Sequence, residues 1–344
     1  MIDEYYMRRC ISLAKLANGN VAPNPMVGAV LVFENRIIGE GYHQQYGEAH
    51  AEVNCIASVT EEDKKLIKDT TLYVSLEPCD HFGKTPPCTG LILENKIKKV
   101  RIGCRDIFEQ VNGKGISKLK SAGVDVISGI LEKECYDLNK RFFTYHKEKR
   151  PYIILKWAQT VNGVMGKKGS VLSISNGYTK RLVHKWRSEE AAILIGYNTA
   201  LNDDPQLTNR YWYGTQPMRI VLARNGNLPA HLHLLNDENK TIIFNMEKNT
   251  VEKNCKFIQV SEKNYLKEVL QMLFQLKIMS VIVEGGSKTL QMFFDEKVWD
   301  ECRIITNTEM TDEGISSPLI SKMRLVKTEQ ILNDHINYYQ KDWL

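Results

Sequence analysis

Leu76-Glu77-Pro78-Cys79-Asp80-His81-Phe82-Gly83-Lys84-Thr85-Pro86-Pro87-Cys88 closes an apolar run over 71–76 and places two cysteines around a polar, proline-rich loop. A short apolar run that stops at such a loop reads as a buried strand feeding a turn. Upstream stands His50-Ala51-Glu52. One imidazole and two thiols are zinc ligands by type, and a catalytic zinc keeps three protein ligands and one open place for water. Bound zinc lowers the pKa of that water from about 16 to about 7. Glu52 lies two residues from the histidine and is free to shuttle protons. A single histidine or cysteine is usually structural; here residue type, order and the intervening proline agree.

His-x-Glu followed by Pro-Cys and a second cysteine is the order found in zinc deaminases of bases and nucleosides. It makes His50, Cys79 and Cys88 the metal ligands and Glu52 the catalytic acid/base. The common form separates its cysteines by two residues, whereas eight separate them here. That longer loop holds His81 and Lys84, good material for gripping a phosphate or a base edge.

Around this site, strands and helices alternate. Met7, Cys10, Ile11, Ala14 and Ala17 recur at helical spacing, and Asn18-Gly19-Asn20 ends the helix. Strands are expected over 27–33, 36–42, 71–76 and 99–103, with helices over 50–59 and 89–95 and a helix–strand pair over 115–128. The all-polar His146-Lys147-Glu148-Lys149-Arg150, ending at Pro151, is the expected boundary between a domain over 1–146 and a second over 150–344. Beyond it, 152–157, 191–196, 219–222, 241–244 and 280–283 read as buried strands. Short strands alternating with helices argue α/β layers in both halves.

The bulk figures agree with two domains. The chain has 344 residues, 43% of them hydrophobic and 25% charged, with a net charge of +5. The basic clusters Lys96, Lys98, Lys99, Arg101 and Lys147, Lys149, Arg150 are short. They read as solvated faces or linker, and no nucleic-acid stripe is expected. No apolar stretch approaches a membrane span. The opening Met-Ile-Asp-Glu-Tyr-Tyr-Met-Arg-Arg lacks an apolar core behind its charges, so no signal peptide and a cytoplasmic location are expected. The eight cysteines are scattered and form no disulfide framework.

In the second half, Val281-Ile282-Val283-Glu284-Gly285-Gly286 runs a buried strand into paired glycines, with a helical stretch over 287–294 behind. Such a turn lets a backbone approach a pyrophosphate at a helix N-terminus. A full G-x-G-x-x-G is absent, so the same glycines also suit a plain tight turn.

The metal loop resembles that of bifunctional riboflavin-biosynthesis deaminase/reductases. So do Asp3-Glu4-Tyr5-Tyr6-Met7, Pro23-Asn24-Pro25-Met26-Val27-Gly28 and Gly41-Tyr42-His43. In the second half the matching pieces are Arg150-Pro151-Tyr152, Leu155-Lys156, Asn202 through Thr208, Gln216-Pro217-Met218-Arg219 and Val283-Glu284-Gly285-Gly286. The resemblance implies a cytidine-deaminase-like α/β/α sandwich followed by a dihydrofolate-reductase-like α/β domain. It implies zinc-dependent deamination of a diamino-pyrimidinone ribosylamino 5′-phosphate, then NADPH-dependent reduction of its ribose to a ribityl chain. It implies Asn24, His43, His81 and Lys84 as deaminase-pocket residues. Lys156, Arg187, Leu207, Arg210 and Glu284 would lie near the reductase substrate. Ala158, Thr199, Asp203, Gly285 and Gly286 would lie near the nicotinamide cofactor. Two arginines, Arg187 and Arg210, would make a sensible phosphate clamp. Asn24 between two prolines would equally fix a turn. Folds of this kind often assemble, so a homo-oligomer is expected.

The chain departs from the family at several points. Asp106-Ile107-Phe108-Glu109 replaces Asp-Pro-Asn-Pro, removing an amide from the pocket. Thr160-Val161-Asn162-Gly163 lacks the usual aspartate, Gly169 through Ile174 lacks a tryptophan at Ser173, and Ala223 stands where an acid is usual. Most departures fall in the reductase half. The alternative they leave open is a zinc deaminase of another nucleoside, base or tRNA, with a non-catalytic nucleotide-binding C-terminal module.

Overall fold

The apolar stripe of the opening segment folds as α1 (Ile2–Ala14), burying Met7, Cys10, Ile11 and Ala14, and continues through a 3-10 turn at Lys15–Ala17. This computed structural model describes residues 2–82, 86–107, 112–167, 169, 172–236, 239–320 and 323–341. After α1 come β1 (Gly28–Phe33), β2 (Arg36–Tyr42), α2 (Ala51–Ala57), β3 (Thr71–Leu76), α3 (Cys88–Glu94), β4 (Lys99–Cys104), α4 (Lys114–Ser121), β5 (Asp125–Ser128), α5 (Glu132–Leu138) and α6 (Lys140–Glu148). The five strands form one sheet in the order β2-β1-β3-β4-β5. β1 is antiparallel to β2 and β3, and β3, β4 and β5 run parallel. Both faces are covered, α1 and α5 on one and α2, α3 and α4 on the other, which explains why β1 and β3 are buried along nearly their whole length. Leu31, Leu72 and Ile102 are fully buried in this core, each worth about 1.5–3 kcal/mol of burial.

The chain divides into compact units Met1–Lys149 and Arg150–Leu344. The polar stretch expected as connector is partly helical: His146, Lys147 and Glu148 are the last turn of α6. Phe142, Phe143 and Tyr145 bury one face of that helix, and Lys149 in the left-handed region ends it. Polarity there marked a helix's wet face and its end together.

The second unit comprises β6 (Tyr152–Thr160), β7 (Val164–Gly166), α7 (Gly177–Glu189), β8 (Ala192–Gly196), α8 (Tyr197–Asp203), β9 (Met218–Leu222), α9 (His233–Asn236), β10 (Thr241–Asn245), β11 (Thr250–Glu252), β12 (Cys255–Gln259), α10 (Tyr265–Gln275), β13 (Ser280–Val283), α11 (Ser287–Asp295), β14 (Glu301–Asn307), β15 (Ile315–Ser316), β16 (Met323–Ile331) and β17 (Asp334–Lys341). Ten strands form the sheet β11-β12-β10-β9-β8-β13-β6-β14-β17-β16, and β7 pairs with β15 beside it. β12 through β14 in that order run parallel, and antiparallel strands finish both edges. One apolar cluster lies on each face. Five of the seven parallel strands, β6, β8, β9, β10 and β13, are the apolar runs legible in the sequence; β12 and β14, whose apolar residues are interrupted by Lys256 and by Arg303, Thr306 and Asn307, are not. β16 and β17 pair at the edge with β16 largely exposed, so they carry no such run. Among the described residues no helix is long and apolar enough to cross a membrane.

Candidate metal centre and reductase cavity

His50 precedes the first turn of α2 in an extended conformation, Cys79 sits just beyond β3, and Cys88 opens α3. One nitrogen and two sulfurs therefore converge from three elements, all within 4.8 Å of one another. His50 Nδ1 lies 3.3 Å from Cys88 Sγ and 3.6 Å from Cys79 Sγ. A tetrahedral ion with bonds of about 2.3 Å to sulfur and 2.0 Å to nitrogen sets such ligands about 3.5 Å apart. The spacing fits zinc. The Cys88 thiol, its backbone N–H at 3.4 Å and His50 hold the Cys79 thiol well below its ordinary range. Cys88 is pushed up by Cys79 and by burial. Zinc binds cysteine as the thiolate, so an ion held here would displace the thiol protons.

Glu52 on α2 is 3% exposed. Burial raises its carboxyl pKa, and the nearby Cys79 sulfur raises it further. A carboxyl held in this way near the cysteines is suited to carry a proton in and out of the site.

The metal loop is held by a residue that the motif reading passed over. Glu77, 4% exposed, accepts N–H bonds from Asp106 (3.2 Å), Gly113 (3.0 Å) and Ile116 (3.1 Å). It ties the end of β3 to the loop after β4 and the first turn of α4. Gly115 allows this approach, since a Cβ there would lie 2.0 Å from the Pro78 carbonyl oxygen. Asp80 closes the other side, accepting from the Thr89 hydroxyl at 2.6 Å and pairing with Lys118 at 2.5 Å. A buried acid with only backbone partners has no sequence signature. Its place directly before Pro78-Cys79 was the one available clue.

Asn24 and His43 come together: Asn24 Nδ2 is 3.0 Å from His43 Nε2, and His43 Nδ1 is 3.0 Å from the Ala49 carbonyl. Nδ1 donates and Nε2 accepts, which requires the neutral ring; burial lowers its pKa accordingly. The ring also stands edge-on to His50 at 5.6 Å. Both nitrogens of His43 are therefore committed, and its contribution is to orient Asn24 and wall the His50 ring. His81 lies half-buried two residues beyond Cys79. Lys84 and Phe108 lie outside the described residues.

In the second unit a cavity of about 980 Å³ opens where β8, β9 and β13 end. Ligands of open α/β sheets bind at such carboxyl ends. Glu284, Gly286, Thr199 and Asp203 line it. Gly285 packs so closely that a Cβ would meet Ile195 Cα at 2.5 Å, and Gly286 has φ +45°. The paired glycines are thus required by close packing and by backbone conformation at the entrance to α11. Burial raises the Asp203 carboxyl pKa.

Glu284 is the hub. Arg187 on α7 donates to it bidentately at 2.9 and 2.8 Å, and Lys156 on β6 approaches at 3.5 Å. Burial pushes the Glu284 carboxyl up, but Arg187 and Lys156 outweigh it and hold it at about 2. Burial lowers Lys156, the looser partner. Of the two arginines expected to clamp a phosphate, Arg187 is engaged by Glu284 and by the Thr208 carbonyl. Arg210 is exposed and donates to Gln206 and Thr208, while its backbone N–H donates to His184 Nδ1 at 3.0 Å. Leu207 is buried at φ +53° in the same loop. Ala158, Lys156, Arg187, Leu207 and Arg210 lie outside the cavity lining; Lys156 and Arg187 connect to it through Glu284.

Two departures find local partners. Asn162 accepts from the Thr160 hydroxyl at 2.7 Å and donates to the Thr311 carbonyl at 2.8 Å, fixing the β6–β7 turn. Ser173 accepts from Lys180 at 2.8 Å.

Comparison with known proteins supports both halves. Residues 1–104 match the cytidine and deoxycytidylate deaminase zinc-binding region, and residues 151–336 match the RibD C-terminal domain. The chain is 38% identical to the riboflavin biosynthesis protein RibD of Aquifex aeolicus, with 99% of each chain covered. It is 37% identical to that of Bacillus amyloliquefaciens, over 87% of this chain and 83% of the relative. A crystal structure of a diaminohydroxyphosphoribosylaminopyrimidine deaminase/5-amino-6-(5-phosphoribosylamino)uracil reductase from Thermotoga maritima is 34% identical, covers 99% of both chains and superposes with a TM-score of 0.90.

Proposed function

This chain belongs to the RibD family of riboflavin-biosynthesis deaminase/reductases, and from that premise we propose how its two sites divide the work. The substrate of the first unit is 2,5-diamino-6-ribosylamino-4(3H)-pyrimidinone 5′-phosphate, which loses its exocyclic amine. The second unit reduces the ribosyl group with NADPH, giving 5-amino-6-(5-phosphoribitylamino)uracil. The observation that carries the reading is the convergence of His50 Nδ1 with the Cys79 and Cys88 sulfurs beside a buried Glu52.

His50, Cys79 and Cys88 would hold zinc, which when bound supplies a Lewis acid and lowers the pKa of water. Glu52 takes a proton from the attacking water on its carboxylate and delivers it to the departing amine. Asn24, oriented by His43, meets the pyrimidinone edge, and His81 and Lys84 serve the polar rim. In the second unit, Gly285 and Gly286 let a pyrophosphate approach the start of α11. Glu284, fixed by Arg187 and Lys156, faces the sugar; Leu207 and Arg210 bound the substrate side, while Ala158, Thr199 and Asp203 bound the cofactor. Hydride transfer belongs to the cofactor, and the protein aligns its ring with the sugar carbon. The reading places the enzyme in the cytoplasm as a homo-oligomer acting on a phosphorylated small molecule, with no nucleic-acid or membrane partner.

Mass spectrometry of the diamino-pyrimidinone ribosyl phosphate, incubated with zinc-loaded protein, tests both steps. Without cofactor the product is about one mass unit heavier; with NADPH it gains about two more. A first shift without the second would leave a deaminase alone. Neither shift from the zinc-loaded protein would refute the substrate.

A further inference from the structure

The cavity of the second unit extends sideways along the sheet, from Glu284 at the end of β13, past Gly196 at the end of β8, to Leu222 and Arg224 beyond β9. A pyrophosphate at the Gly286–Ser287 turn would send its two nucleosides in opposite directions along this edge. The Glu284 side carries the buried charged triad and suits the sugar that is reduced. The β9 side is different in character: Leu222, Tyr265 and Met292 give it apolar and aromatic walls that suit an adenine.

Arg224 is exposed at the rim of that side, its guanidinium 5.1 Å from the Tyr265 ring centre. Stacking on an aromatic face fixes a guanidinium without spending its donors. The acids lining the cavity among the described residues are Asp203, at the end of α8, and Glu284, which Arg187 engages. The strand end itself reads Leu222-Ala223-Arg224, and no carboxylate follows before Asp237. Dinucleotide folds hold a ribose 2′-hydroxyl with an acid, and accommodate a 2′-phosphate with a nearby arginine. Arg224, which lines this rim of the cavity, is placed to pair with such a phosphate.

We propose that Arg224 reads the 2′-phosphate of NADPH and sets the preference of this chain for NADPH over NADH. The assignment rests on the reductase reading given above. Lys288, in the first turn of α11, also lines the cavity and would serve the pyrophosphate shared by both dinucleotides.

Calorimetry on the full-length zinc-loaded protein, with NADPH, NADH, 2′,5′-ADP and 5′-ADP as probes, tests it. The unaltered protein is expected to bind NADPH more tightly than NADH. Arg224→Ala should weaken NADPH and 2′,5′-ADP by about 10- to 100-fold, the worth of one charge-assisted hydrogen-bonded pair, and leave NADH and 5′-ADP unchanged. Arg224→Lys should restore part of the loss. Lys288→Ala should weaken NADPH and NADH in equal proportion. An unchanged NADPH-to-NADH ratio in Arg224→Ala would overturn the assignment of Arg224 while leaving the reductase reading intact. If the unaltered protein binds neither dinucleotide, the reductase reading itself fails and takes this assignment with it.

Discussion

At the scale of single residues, the proposed deamination rests on the buried carboxyl of Glu52, whose pKa burial raises. Glu52→Gln keeps the size and hydrogen-bonding reach of the side chain but cannot accept the proton. It should retain zinc, measured by atomic absorption, and lose deamination by about 10²- to 10⁴-fold. Retained turnover would remove Glu52 from its role. In the reductase half, Glu284 neutralises two buried cations. Glu284→Gln leaves the Arg187 guanidinium buried without its counter-charge, a loss of about 3–5 kcal/mol for a broken buried pair. Denaturant unfolding of the variant should show that loss. An unchanged midpoint would mean that water or Arg187 movement compensates.

At the scale of elements, the metal loop between β3 and α3 is positioned from a distance. Glu77 holds three backbone N–H groups from the β4–α4 connection, and each buried donor left unsatisfied costs about 1–3 kcal/mol. Glu77→Gln places an amide N–H against at least one of them. The variant should release zinc to a chelator faster than the unaltered protein, while NADPH binding is unchanged. Equal release rates would show that the cysteines position themselves. His184 on α7 gives a second test. Burial, reinforced by Arg187 and Arg210, lowers its pKa from 6.5 to about 4, and its neutral Nδ1 accepts the Arg210 N–H. The unfolded chain binds more protons than the folded one between these values, so stability is full above about pH 6.5 and falls toward pH 4. Melting temperatures across this window should decline in the unaltered protein and decline less in His184→Gln. Parallel slopes would exclude His184 as the source.

At the scale of the whole molecule, each unit has its own apolar clusters and its own site. Chelation of zinc should therefore abolish deamination and leave intact the NADPH-dependent reduction of the deaminated intermediate. Loss of both on chelation would show that the metal supports more than the first unit.

The sequence by itself determined most of the alternation of strands and helices, because a parallel strand covered on both faces is largely apolar. It also singled out His50, Cys79 and Cys88, which the fold brings within 4.8 Å of one another, since ion chemistry constrains residue type and order more tightly than packing does. It did not show α6 running through the polar stretch at 146–148, because polarity marks a solvated helix face as readily as a linker. Glu77, the Glu284 triad and the Arg224–Tyr265 stack were decided only by tertiary structure. Glu77 meets amides 29 to 39 positions away, and Arg187 meets Glu284 across 97. Such partners leave no local period or spacing, because a buried charge is specified by what the folded chain brings to it.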